Sequence, residues 1–260
     1  MIKGLDKFRE HFADFGDHYV LIGGTASDMV MDEAGAAFRA TKDLDIVLCV
    51  ESLDASFAEA FWAFVSAAGY QNQQRSTGKK IFYRFNEPKD KSYPFMLELF
   101  SRTPDLLVLG DDSQLTPIPI DEDASSLSAI LLDEDYYKFL HEHKVEIDGV
   151  QVVTEVCLIP LKAKAWLDLN RRREDGEQVD SRDIKKHKND IFRLFQIISP
   201  ESRVNLPGNI SNDMLQYLSA ISEEPNLDLK LFGLKGLGVL DVVNTLRQIY
   251  ELPEQDSTVS

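Results

Sequence analysis

A mixed α/β fold with a mainly helical C-terminal half is predicted. Short apolar runs bounded by turn residues recur up to about residue 158, interleaved with stretches of helical spacing, and beyond Pro160 only helical spacing is found. With 43% of the 260 residues apolar, the chain has core material for one large domain or two modest ones. The expected division is an α/β domain over 1–158 and a helical domain over 159–260. No internal repeat or long low-complexity segment interrupts it.

Taken in order, Leu5, Phe8, Phe12 and Phe15 stand near helical spacing and predict a first helix over 5–15. Residues 18–22 read as a short strand running into Gly23-Gly24-Thr25, whose glycines permit a tight turn, and a helix is expected over 26–32. Residues 44–50, LDIVLCV, suit a central strand. Ser52 is the expected N-cap of a helix that runs to Ala68 and is stopped by Gly69. Residues 80–85 and 95–100 read as a hairpin joined by NEPKDKSYP, and 102–135 as loops with one or two edge strands near ILLD. KVEIDGVQVVTEV predicts a hairpin turning at Asp148-Gly149. Pro160 is expected to open a helix through about Arg173, with further helices over 180–198, 211–221 and 237–250.

Charge narrows the function classes. Lys plus Arg total 28 against 44 Asp plus Glu, a net charge of -16, so tight non-specific binding to a polyanion is excluded as the main activity and any nucleic-acid contact must be local. No run reaches the roughly 18 apolar residues of a membrane span, and MIKGLDKFREHF lacks the apolar centre of a signal peptide. A cytoplasmic protein without membrane association is expected. Cys49 and Cys157, far apart in apolar settings, are expected to be buried thiols rather than disulfide or zinc ligands.

The chemistry centres on Asp43-Leu44-Asp45 at the head of an apolar strand. Residues two apart share a strand face, so both carboxylates project the same way with Cα atoms roughly 6.5–7 Å apart. Two anions this close repel without a counter-charge, and a hard divalent cation such as Mg²⁺ relieves them. The plainer reading of Asp-x-Asp is a solvated strand entrance. Gly23-Gly24-Thr25 adds a strand-to-helix turn whose exposed amides suit phosphate oxygens, although Gly-Gly also serves as a simple tight connection. Phosphate cradle and metal-binding pair together are what phosphoryl or nucleotidyl transfer requires. Glu98, the lone acid in the run FMLELF, is the candidate third carboxylate, because burying it unpartnered would be costly; an ion pair with Arg84 on the neighbouring strand is the competing explanation.

These residues carry a resemblance. LIGGTAS, then Arg39-Ala40-Thr41-Lys42-Asp43-Leu44-Asp45, resembles the Gly-Gly/Ser…Asp-x-Asp signature of the polymerase-beta-like nucleotidyltransferases, and in particular the AbiEii-type toxin nucleotidyltransferases. The likeness covers the N-terminal half best. A looser match follows in Lys162-Ala163-Lys164-Ala165 and Arg182-Asp183-Ile184, separated from the first by a long stretch between Glu98 and Pro160. The resemblance implies a two-metal Mg²⁺ site at Asp43, Asp45 and Glu98. It implies NTP contacts from Gly23, Gly24, Thr25, Arg39, Lys162 and Asp183, with Lys164 and Asp190 as alternatives to the last two. It also implies NMP transfer to an RNA end, a protein or a small molecule; a toxin paired with an antitoxin, or acting in phage defence on tRNA or protein, is the corresponding context.

Independently, residues 162–193 hold ten Lys/Arg against seven Asp/Glu, a local balance of +3 where the remainder carries -19. Such an island would draw a triphosphate or an RNA end, unless it is a solvated helical face of paired charges. His141-x-His143 lacks further zinc-ligand spacing, and no nucleophile elbow or P-loop is present. The rival expectation is a non-catalytic nucleotide-binding or interaction module that keeps the fold. Glu98 discriminates: facing Asp43 and Asp45 it favours the enzyme, and bridged to Arg84 it favours the module.

Overall fold

The computed structural model describes residues 2–71, 83–102, 132–224 and 227–253, with the backbone of 115–118 and 127–131. The chain divides into two compact units, Met1–Thr154 and Glu155–Ser260. The first is a mixed α/β unit and the second is helical. The division comes four residues before the expected one because the helix that opens the second unit begins at Glu155, ahead of Pro160.

The first unit runs α1 (Leu5–His11), a 3-10 segment (Ala13–His18), β1 (Tyr19–Ile22), α2 (Gly23–Glu33), β2 (Asp43–Leu48), α3 (Ala55–Ala68), β3 (Arg84–Asn86), β4 (Met96–Ser101), β5 (Leu115–Ile118), β6 (Leu127–Leu131), α4 (Glu134–Glu142), β7 (Lys144–Ile147) and β8 (Val150–Val153). The strands form one sheet in the order β5-β6-β4-β2-β1-β8-β7, and β3 also pairs with β4. β2 runs antiparallel to β1 and parallel to β4, while β3 and β4 form the expected hairpin, of which 80–82 lie outside the described residues. The hairpin turning at Asp148-Gly149 is likewise present as β7 and β8.

Register sorts the side chains onto two faces. Tyr19, Leu21, Leu44, Ile46, Leu48, Phe85, Leu97 and Leu99 share one face and are essentially inaccessible. An aromatic layer from α1 and α3 covers it: Phe8 meets Tyr19 edge-on at 5.1 Å, Phe12 lies 5.4 Å from Phe64, and Phe61 meets Phe85 at 5.4 Å. Each such ring, fully buried, contributes about 1.5–3 kcal/mol. That is what makes β2 and β4 a rigid floor for whatever stands on their other face.

Several local readings are corrected. α3 is capped by Asp54, whose carboxylate accepts from the Phe57 amide at 2.8 Å, so Ser52 is not the cap; Gly69 stops the helix at φ 66° as expected. β6 pairs parallel with β4 and lies inside the sheet, because β5 takes the outer position. α4 was not foreseen. It buries Tyr136, Tyr137, Phe139 and Leu140, and its Tyr137 hydroxyl donates to Glu51 at 2.6 Å. Arg102 donates to the same carboxylate at 3.0 and 2.8 Å, tying the ends of β2 and β4 together. Burial favours the neutral Glu51 carboxyl, but the hydrogen bonds from Tyr137 and Arg102 outweigh it and lower the pKa.

The second unit comprises α5 (Glu155–Glu174), α6 (Ser181–Leu194), α7 (Gly208–Ser222), a 3-10 turn (Leu229–Phe232) and α8 (Val239–Ile249). Pro160 sits inside α5 rather than at its start. A proline there removes the amide that would have bonded the carbonyl four residues back, that of Val156. The Tyr250 hydroxyl, just past α8, donates to the Val156 oxygen at 3.0 Å and replaces the missing partner. Tyr250 is 1% exposed, and burial holds its phenol in the neutral, donating form. Tyr250→Phe is therefore expected to cost about 1–3 kcal/mol by orphaning that carbonyl, read as a lowered denaturation midpoint; an unchanged midpoint would show that the carbonyl finds another partner. Among the described residues no helix is long and apolar enough to cross a membrane.

Candidate active site

The other face of the floor is polar at one end. Asp43 and Asp45 project from it on β2, Met96 and Glu98 stand beside them on β4, and Asn86 and Arg84 follow on β3. Asp45 pairs in register with Glu98, about 4.8 Å away across the parallel strands. All three acids are partly accessible, while the intervening Leu44, Leu97 and Leu99 on the opposite face are at 0% exposure.

The glycine turn lies directly under this pair. Gly23 adopts φ 68°, and a Cβ added there would overlap the Asp45 carboxylate. A Cβ on Gly24 would come within 2.7 Å of the Thr41 hydroxyl and 3.5 Å of the Arg39 guanidinium. A side chain at either position would have to displace the Asp45 carboxylate or the Thr41 hydroxyl, and Gly23 is further favoured by its left-handed backbone. Thr25 donates to the Asp43 carbonyl at 2.8 Å, and Ser27 to the Gly23 carbonyl at 2.6 Å, which fixes the first turn of α2 against the start of β2. The helix begins at Gly23, three residues before the sequence expectation, and Ile22 at its cap brings no acceptor side chain. Asp28, one turn on, is held toward its neutral form mainly by burial, opposed in part by Arg39. The two parts of the motif, Gly-Gly-Thr and Arg-x-Thr-x-Asp-x-Asp, are therefore one contiguous structure.

Gly23→Ala should lower stability by about 1–2 kcal/mol for the left-handed backbone alone and displace the Asp45 carboxylate as well. A melt together with a Mn²⁺ titration checks this. A variant of wild-type stability and wild-type Mn²⁺ affinity would show that the approach at Gly23 does not matter.

Glu98 departs from the simplest expectation. Its carboxylate is 12% exposed and accepts from Arg84 Nε at 2.6 Å and from the terminal nitrogen of the same guanidinium. It stands next to Asp45 by register, but its side chain is engaged with Arg84, the arrangement that favours the module. Consistent with that engagement, among the described residues no three His, Cys, Asp or Glu side chains converge to hold a metal ion. Asp43 and Asp45, hard oxygen donors on one face, have the donor chemistry for a divalent cation, and Glu98 joins them if its carboxylate leaves Arg84.

No family model matches this chain, and no curated protein matches it.

In the helical unit, Lys162 on α5 is 4% exposed and lies 3.1 Å from Asp190 on α6, itself at 0%; Arg193 also reaches Asp190 at 3.2 Å. Of the alternatives left open, Asp190 is the buried acid and Asp183 the exposed one, 3.7 Å from Lys186. Lys164 reaches Asp168 at 3.7 Å and Asp213 at 3.4 Å. Arg171, Arg172, Arg182 and Lys188 are paired with Asp168, Glu177, Asp180 and Glu224. The basic island is thus largely neutralised pair by pair, the solvated-face alternative. His141 packs on Tyr137 at 4.5 Å and is held neutral chiefly by burial, whereas His143 bonds the Phe139 carbonyl at 2.9 Å. Both cysteines are buried thiols; burial pushes Cys49 up to about 12 and raises Cys157.

Proposed function

We propose that the chain is a Mg²⁺-dependent nucleotidyltransferase that moves NMP from an NTP to an acceptor hydroxyl. The observation that supports it most is the close fit of Gly23 against Asp45 and of Gly24 against Thr41 and Arg39, which joins a phosphate-cradling turn to a paired-carboxylate strand. The amides at the start of α2, at Gly23 and Gly24, would orient the triphosphate, helped by Arg39. Asp43, Asp45 and Glu98 would hold Mg²⁺, which supplies charge against the α-phosphate and the departing pyrophosphate. Glu98 accepts the proton of the attacking hydroxyl, and no covalent enzyme intermediate is needed. The acceptor is an RNA end such as that of tRNA, a protein hydroxyl or a small molecule. The likeness to AbiEii-type toxins supports a defence or toxin–antitoxin setting, with an antitoxin as partner, in the cytoplasm.

The Arg84–Glu98 ion pair favours a second reading, a nucleotide-binding module without turnover. Incubation with each α-labelled NTP, Mg²⁺ and total tRNA or protein separates the two. Transfer of label that Asp45→Asn removes supports the enzyme. Nucleotide binding without transfer to any acceptor supports the module, and neither binding nor transfer overturns both.

A further inference from the structure

Glu98 sits between opposite charges. On one side, in register, is Asp45; on the other, directly opposite on β3, is Arg84. The two ends of the ion pair differ in freedom. Glu98 is 12% exposed, on a strand whose neighbours Leu97 and Leu99 are fully buried, whereas the Arg84 side chain is 43% exposed. Separating the pair therefore returns Arg84 to water at small cost but leaves Glu98 a partly buried anion beside another anion. Arg84 supplies the counter-charge of Glu98 in this structure, and a divalent cation shared by Glu98 with Asp45 and Asp43 would be an alternative one.

We infer that Arg84 is a counter-ion latch on the metal site, an inference that rests on the nucleotidyltransferase reading and deepens it. In the cation-free protein Arg84 occupies Glu98 and keeps the third carboxylate away from the aspartates. A divalent cation arriving alone must displace the guanidinium, so it binds weakly. A nucleotide removes that competition, because the released fork of Arg84 is suited to pair a phosphate oxygen. Arg84 is a positioning residue that couples the two ligands, so that cation and NTP enter together.

The coupling is read without turnover, by Mn²⁺ binding followed by electron paramagnetic resonance with and without a non-hydrolysable NTP analogue. Wild-type protein is expected to bind Mn²⁺ more tightly when the analogue is present. Arg84→Gln should bind Mn²⁺ alone roughly tenfold more tightly than wild type, with the coupling largely lost, a factor in the usual range of site–site coupling. Arg84→Lys, which keeps the charge and loses the fork, should fall between them. In unsubstituted protein, the Arg84 Nε–H resonance should shift when Mg²⁺ and analogue are added together. Unchanged or weaker Mn²⁺ binding by Arg84→Gln overturns the latch, as does an Arg84 resonance indifferent to both ligands; the second measurement decides the matter if Arg84→Gln does not fold. Asp45→Asn marks the boundary with the parent reading. If it leaves Mn²⁺ binding intact, the site itself is wrong; if it abolishes binding while Arg84→Gln changes nothing, only the latch is.

Discussion

Asp45→Asn is expected to lower nucleotidyl transfer by about a thousandfold or more, corresponding to about 4 kcal/mol of transition-state stabilisation, and to leave the metal-free protein folded. Asparagine keeps the shape of the side chain against Gly23 but removes the charge that draws the cation. Because that shape is kept, the melting temperature of the metal-free protein should stay within about 2 °C of wild type. The effect should fall on the rate more than on apparent NTP affinity, since the Gly23-Gly24 turn and Arg39 remain. Transfer at wild-type rate, or a marked loss of metal-free stability, would mean that Asp45 is a structural acid that holds the turn and nothing more.

Much of this end of the molecule was legible because it depends on short-range rules. Alternation along β2 put Asp43 and Asp45 on one face, and the β3–β4 hairpin followed from two apolar runs flanking a polar turn. Glu98 stood out as a lone acid in an apolar strand, and both partners considered for it, Asp45 and Arg84, turn out to flank it in register. What was not legible depends on distant chain. The spacing Arg-x-Thr-x-Asp-x-Asp says nothing about Thr41 lying over Gly24; only the fold brings them together. Pro160 by itself predicts a helix start, because a proline ordinarily costs an internal bond, and the compensating hydroxyl comes from Tyr250, ninety residues on. Asp54 and Ser52 are both good caps, and the choice was settled by which residue meets the Phe57 amide. α4 was missed because its buried face, Tyr136, Tyr137, Phe139 and Leu140, is short and flanked by charge.

The helical unit yields the second large effect, on stability. Lys162 and Asp190 sit at 4% and 0% exposure, 3.1 Å apart, and join α5 to α6, with Arg193 as a further donor. A buried ion pair gains little over an apolar pair of the same shape, because desolvation offsets the Coulomb attraction; removing one partner is different, since the other charge stays buried and uncompensated. Asp190→Ala should therefore cost about 3–5 kcal/mol, on the order of a 10 °C fall in melting temperature for a chain of this size. Lys162→Ala should cost somewhat less, because Arg193 still neutralises Asp190. The double variant Lys162→Met, Asp190→Leu should recover most of the loss in denaturant unfolding, and the coupling follows when Lys162→Met and Asp190→Leu are also measured singly. The resemblance assigned Lys162 to the nucleotide phosphates, for which its first effect would be on NTP affinity. A lysine committed to Asp190 changes stability first. Wild-type stability in Lys162→Ala with weakened NTP binding would return it to the phosphates, and a lowered midpoint with affinity unchanged in the folded fraction would make it a helix-joining residue.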